Sequence, residues 1–251
     1  MARYQVIIAY DGTDFCGFQR QGKSRTVQAE FEKALRCIGW QGKTIYAAGR
    51  TDAGVHATGQ VIAFDLDWQH GVDALGKAIN ANLPPDAAVV SVRVAADDFH
   101  PRFAACGRTY LYTIYCQPQR NPLLERYAWR VDPPVALELL EEASALLVGK
   151  HDFSAFGSPP RKGGSTVREV FHAAWGSVSQ QENSLQFVVC ANAFLYHMVR
   201  RMVFLQVLVG QRRLEMEALA AGISEGRQLL PGIAPPQGLV LSKVIYDERV
   251  V

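Results

Sequence analysis

The stretch Phe194 to Val209 constrains the fold more than any other part of the chain. From Leu195 onward it is apolar nearly all the way round a helical wheel, the pattern of a helix buried on every side. A membrane span would share that pattern, but His197, Arg200 and Arg201 lie inside the stretch and rule a bilayer out. On a helix, Arg200 shares a face with Val203, Phe204 and Val207, and Arg201 with Phe204, Leu205 and Leu208. At least one guanidinium is therefore expected against protein, where it stays charged and calls for a carboxylate partner. The alternative is that both arginines snorkel to the surface from the N-terminal half of the helix.

A chain of 251 residues, 49% apolar, can bury such a helix in one large core or two smaller ones. The order of the other elements favours two. Tyr4 to Tyr10 is a β-favouring run closed by Asp11-Gly12, and a polar loop follows to Arg25. Thr26 can cap a helix with Val27, Phe31, Leu35 and Ile38 on its apolar face and Gly39 as its stop. Short β-type runs at Thr44–Ala48 and Gln60–Phe64 flank a tight loop. A helix through Leu75 and Ile79 ends at Pro84-Pro85, and the alternation of Val90, Val92 and Val94 predicts a further strand. Phe99-His100-Pro101-Arg102-Phe103 reads as a hinge. Beyond it come a strong strand signal at Arg108–Tyr115 and a helix opened by Asp132-Pro133-Pro134 and stopped by Gly149. A Gly/Pro/basic loop from Gly157 to Gly164 precedes strands at Val167–Trp175 and Leu185–Ala191. The apolar helix follows, and Val240–Tyr246 is a closing strand. The expectation is an α+β chain of two domains, residues 1–103 and 104–251, each with an antiparallel or mixed sheet and helices on one face, and a cleft between them.

The net charge of +2 and a pI near 8.3 give only a weak global field. A nucleic-acid site must then come from local clusters: Arg20, Lys23 and Arg25; Arg161 and Lys162; Arg200 and Arg201; Arg212 and Arg213. The cysteines number five, an odd count, without a C-x-x-C pair and without a leader ahead of Tyr4, which predicts a reducing, cytoplasmic compartment. The six histidines show no metal-ligand spacing, and no phosphate-cradling glycine loop is present, so neither a metal nor a cofactor is expected.

The tight loop, Ala48-Gly49-Arg50-Thr51-Asp52-Ala53-Gly54-Val55-His56, sets an Arg and an Asp two positions apart between glycines. Asp52 could serve an Asx turn, a cap or a surface ion pair with Arg50, or it could be a lone catalytic carboxylate. The period of two in Arg108–Tyr115 puts Arg108, Tyr110, Tyr112 and Ile114 on one face. Tyr110 is then either a half-buried sheet residue or a platform for a base. The rings and cations of Phe99, His100, Arg102 and Phe103 suit an unpaired nucleotide, or the packing of a hinge.

Gly49-Arg50-Thr51-Asp52-Ala53-Gly54-Val55-His56-Ala57 resembles the active-site signature of the tRNA pseudouridine synthase A family. Tyr10-Asp11-Gly12-Thr13-Asp14-Phe15-Cys16-Gly17-Phe18-Gln19 resembles the family's N-terminal motif, with Phe18 where a Trp is usual. Phe99–Phe103 and Arg108–Tyr112 resemble its central motifs, Phe194–Arg200 its third, and Pro235-Pro236-Gln237-Gly238-Leu239 its C-terminal one. Cys106-Gly107 ahead of Arg108 is less typical of the family. The resemblance covers nearly the whole chain, with the motifs in the family's order.

The resemblance implies the pseudouridine-synthase α+β fold, a basic cleft between two similar domains, and a homodimer. It implies an isomerase that turns uridine into pseudouridine in the anticodon stem-loop of tRNA, at positions thirty-eight to forty, without cofactor. Asp52 matches the catalytic aspartate, Arg200 its paired arginine, Tyr110 the tyrosine that packs on the target base, and Arg50 an RNA-contacting arginine that helps extrude it. Phe99, His100, Pro101, Arg102, Phe103, Arg161 and Lys162 are the expected RNA contacts. The residue types suit the reaction. One carboxylate can attack C1′ as a nucleophile or remove the C2′ proton, and the target must be flipped out of the stem. Two other classes fit the same residues: a non-catalytic RNA-binding module, and a nucleoside or glycoside hydrolase. The hydrolase needs a second carboxylate, for which Asp65, Asp67 and Asp11 are the nearest in sequence.

Overall fold

In the computed structural model, the residues described are 1–159, 161, 163–179, 181, 183–226 and 229–247. Strand β1 (Ala2–Tyr10) realises the alternation of the N-terminal run, with Tyr4, Val6, Ile8 and Tyr10 buried on one face. It pairs antiparallel with β3 (His56–Leu66), Val6 opposite Ile62, and with β4 (Ala87–Val94) on its other side. A short β2 (Tyr46–Ala47) also pairs with β3. Helix α1 (Val27–Cys37) begins where Thr26, in extended conformation, accepts the Ala29 N–H on its hydroxyl, and it buries Val27, Phe31, Ala34 and Leu35. Helix α2 (Val72–Asn80) buries Leu75 and Ile79 and packs on β4. In β4 the inward residues are Ala87 and Val89, while Val90 and Val94 are exposed. A bulge in the β1–β4 register between Ile7 and Ile8 interrupts the simple alternation.

The chain divides into two units, the first made of Met1–Cys106 with Val240–Asp247, and the second built from Gly107–Leu239. The sequence places the break after residue 103 and assigns the last strand to the second half. Instead β10 (Leu239–Ile245) completes the first unit by pairing parallel with β3, Val240 opposite His56 and Leu241 opposite Ala57. Parallel pairing across an intervening unit leaves no mark in local periodicity.

The second unit carries the antiparallel order β5 (Gly107–Tyr115), β9 (Ser184–Ala191), β8 (Val167–Ser177), β7 (Gly149–Asp152), with β6 (Trp129–Arg130) parallel to β5. Helix α3 (Leu137–Ala145) packs against β8 and α4 (Met198–Gly210), and α5 (Met216–Ser224) is a helix the sequence reading does not anticipate. Helix α4 starts three residues later than its apolar pattern suggests, because His197 ahead of it adopts a left-handed conformation, φ 66°. Its burial is nearly complete, and its buried Gln206 is satisfied by Trp175 Nε1–H on β8 at 2.9 Å. Both units are α+β, as expected.

Candidate active site

The segment Ala48–Val55 links β2 to β3, and its backbone is held at almost every residue. Ala48 N–H donates to Val61 O (2.9 Å), and the buried Gln60 side chain donates to Gly49 O (3.1 Å). Thr51 is held twice: its carbonyl accepts from Phe18 N–H (3.0 Å), and its hydroxyl lies 2.8 Å from the Tyr10 hydroxyl. Val55 N–H donates to Asp52 O (3.2 Å) and Gly54 N–H to Phe15 O (3.4 Å). Gly12 N–H donates to His56 Nδ1 (3.0 Å), and a Cβ on Gly12 would lie 2.1 Å from Val55 O, so only glycine fits there. Thr51 is buried between an exposed Arg50 and a half-buried Asp52. The residues Tyr10, Gly12, Phe15 and Phe18 thus form the seat of the Asp52 loop. Sequence reading leaves their role open, and the signal was a glycine beside aromatics at the mouth of β1.

In the second unit Tyr110 on β5 is half-buried, with the ring of Phe194 edge-on at 5.1 Å and 87°. Two residues on, Tyr112 is fully buried and donates its hydroxyl to Pro235 O (2.7 Å). Burial pushes the Tyr112 phenol well above its usual value, with the charge of Arg200 opposing. Arg200 donates Nε–H to Ala234 O (2.8 Å) while Ala234 N–H returns to Arg200 O (3.2 Å). Arg201 donates to Gly232 O (2.7 Å) and Leu229 O (3.2 Å), and burial lowers its pKa. The sequence predicts a carboxylate for a buried guanidinium; Arg201 meets carbonyls instead, supplied by an irregular segment whose C=O groups have no ladder partners. Arg108 likewise donates to Asn192 O (2.8 Å). Tyr112, Arg200 and the Ala234-Pro235 step are therefore one hydrogen-bonded cluster, with Tyr110 beside it on β5.

The Phe99–Phe103 segment belongs to the first unit and divides by burial. Phe99 O accepts from Arg3 (3.1 Å) and its ring meets Tyr246 edge-on at 5.3 Å; the buried Pro101 accepts the Tyr246 hydroxyl on its carbonyl (3.0 Å). His100 lies between the rings of Tyr46 (5.1 Å) and Phe103 (4.3 Å), and burial, reinforced by Arg102 and Arg3, lowers its pKa. Arg102 and Phe103 are left exposed, Phe103 at 79%. Arg161 is exposed on the Gly157–Gly164 loop, and Lys162 lies outside the described residues. Elsewhere the basic clusters are partly neutralised within the fold. Arg20 pairs with the buried Glu32, and Arg25 makes a two-pronged bond to Asp86 (2.7 and 2.8 Å) while covering Phe15. Of the carboxylates a hydrolase would need, Asp65 is bonded by Arg3 at 2.7 Å, which holds its carboxyl below the usual range. Among the described residues no cluster of His, Cys, Asp and Glu could hold a metal ion, and no helix is long and apolar enough to cross a membrane.

The sequence profile of a family described as tRNA pseudouridine synthase matches residues 6–104 and 143–247. The chain belongs to that family, isomerases that convert uridine to pseudouridine in tRNA. It is 40% identical to tRNA pseudouridine synthase A of Streptococcus equi subsp. equi, over 99% of this chain and 100% of that one. Identity is 41% to the protein of the same name in Streptococcus suis, over the same shares. To that of Lactiplantibacillus plantarum it is 36%, over 98% of this chain and 95% of that one. Asp52, Arg50, Phe99–Phe103 and Arg200 fall inside the matched segments; Tyr110 lies between them.

Proposed function

We propose that the chain isomerises uridines thirty-eight to forty of the tRNA anticodon stem-loop, with Asp52 as its catalytic carboxylate and no cofactor. The observation that carries this reading is the setting of Asp52: half-buried, on a loop whose backbone is pinned at Gly49, Thr51, Gly54 and Val55. A carboxylate carried on so firmly held a backbone needs little reorganisation of its loop when it attacks C1′ or takes the C2′ proton. Either route breaks N1–C1′ and joins C5 to C1′; the C5 proton leaves and N1 regains one, so nothing is consumed.

Tyr110 packs on the flipped uracil, Arg50 contacts the RNA and favours the extruded base, and Arg200 supports the catalytic step. Arg102, Phe103 and Arg161 are exposed and suit phosphate or base contacts, with His100 stacked behind Phe103 and Phe99 and Pro101 shaping the loop. Lys162 joins Arg161 in this role. The enzyme works as a cytoplasmic homodimer. Support for that compartment is the set of five free cysteines, of which Cys16 and Cys37 are exposed.

Product analysis tests the reading. Wild type acting on an anticodon stem-loop should yield pseudouridine. Free uracil would identify a hydrolase, and binding without product an RNA-binding module. Asp52→Asn, checked for deamidation, should bind tRNA and make no pseudouridine; retained turnover would remove Asp52 from the chemistry.

A further inference from the structure

We propose that Tyr196, stacked on His197, is a second base-stacking platform that takes a nucleotide flanking the target uridine. The proposal rests on the reading that Tyr110 packs on the target base. Tyr196 is 59% exposed, yet its ring lies on His197 with centroids 3.6 Å apart and planes 28° from parallel. A large exposed aromatic normally hides its face; here one face is covered by an imidazole and the other is offered outward, as a base would require. The backbone beneath is stiff. Tyr196 N–H donates to Ser158 O (2.9 Å) in an isolated bridge, and Gly157 approaches so closely that a Cβ there would lie 2.4 Å from Tyr196 O.

His197 holds its place in the left-handed region, φ 66° and ψ 0°, an arrangement unfavourable for a side chain bearing Cβ and one that gathers at functional sites. The position is also suited to the substrate. Phe194, whose ring contacts Tyr110, is two residues away, so the two backbone positions are separated by at most about 7 Å. That is the span of one or two nucleotides of an unstacked strand. A loop distorted to present one uridine leaves its neighbour without a stacking partner, and Tyr196 would supply one.

The test uses the full chain and anticodon stem-loop RNAs carrying 2-aminopurine at the nucleotide 5′ or 3′ of the target. Wild type should quench the fluorophore at one of these positions. Tyr196→Ala should abolish that quench and raise KM about tenfold, with kcat within twofold of wild type, and Tyr196→Phe should restore both. A quench and KM unchanged in folded Tyr196→Ala would overturn the proposal. Loss restored by neither Phe nor Trp would also overturn it, since stacking needs only a ring. Tyr110→Ala separates the two readings. If it turns over tRNA normally while Tyr196→Ala still loses the quench, Tyr110 is not the target's platform and Tyr196 remains a platform for RNA.

Discussion

The pair formed by Tyr10 and Thr51 offers the sharpest probe of how the Asp52 loop is held. Their hydroxyls are 2.8 Å apart, and both residues are buried, at 4% and 8% exposure. Tyr10→Phe removes one oxygen and leaves the ring contacts with Phe15 and Phe18, at 6.3 and 6.4 Å, undisturbed. What changes is that Thr51 Oγ1 loses its partner in a site nearly closed to water, a cost of about 1–3 kcal/mol. Thr51→Val removes the other end of the contact at nearly equal volume and should also destabilise the fold. Replacing both leaves no orphaned hydroxyl, so the double variant should be more stable than the sum of the singles by about 1 kcal/mol. Urea denaturation measures these differences.

The same change frees the residue next to Asp52, and a displacement of about 1 Å at a reacting group can cost on the order of a hundredfold in rate. Each single variant should lower kcat about tenfold or more, read as tritium released from C5 of labelled tRNA. Strict additivity in urea would mean the hydroxyls do not interact. An unchanged kcat in a destabilised variant would mean that this pin supports the fold and not the catalyst.

Gly12→Ala should be far worse than its small volume suggests. Its Cβ would meet backbone at 2.1 Å and push Val55 with the Asp52 loop, so turnover should fall at least tenfold in protein that still binds tRNA. The Arg25–Asp86 pair lowers the Asp86 pKa, so its stabilisation is present above the ordinary aspartate value and lost as pH falls through the depressed one. Arg25→Gln should therefore be less stable than wild type at pH 7, by about 1 kcal/mol for a part-exposed pair, and the gap should close below about pH 4. Binding of tRNA should weaken steeply with salt, and changing Arg50, Arg102, Arg161 and Lys162 together to Gln should flatten the slope. An unchanged slope would take these loops out of the interface. If Arg200 partners Asp52, Asp52→Asn with Arg200→Met should be less unstable than the sum of the two; additivity would end that assignment.

What could be foreseen depended on how local its cause was. The loop at Asp52 could be located because two glycines and flanking β-type runs mark a turn, and the face of β5 because side chains alternate in any strand. Thr26 was identifiable as a cap from its hydroxyl one residue ahead of an apolar repeat. The seat of Asp52 was not visible, since Phe18 and Thr51 meet only after α1 and β3 have been placed. Nor were the acceptors for Arg200 and Arg201, which come from a segment with no period at all. The inward face of β4 was hidden by a bulge in the strand itself, where Val90 is the extra residue between the partners of Ile7 and Ile8. The short β6 and β7 carry too few residues to show alternation.

The parallel pairing of β10 with β3 bears on how a cell makes this enzyme. His56 and Ala57 directly follow the Asp52 loop, and their sheet partners Val240 and Leu241 are translated only after all of Gly107–Leu239. On the ribosome the first unit waits with an unpaired strand edge beside the Asp52 loop while the second is synthesised. Such an edge is a template for wrong pairing, and closing it across so long an insertion is slow. Catalytic competence is thereby tied to near-completion of synthesis, and a nascent chain stalled within Gly107–Leu239 should carry the whole Asp52 motif and modify no RNA.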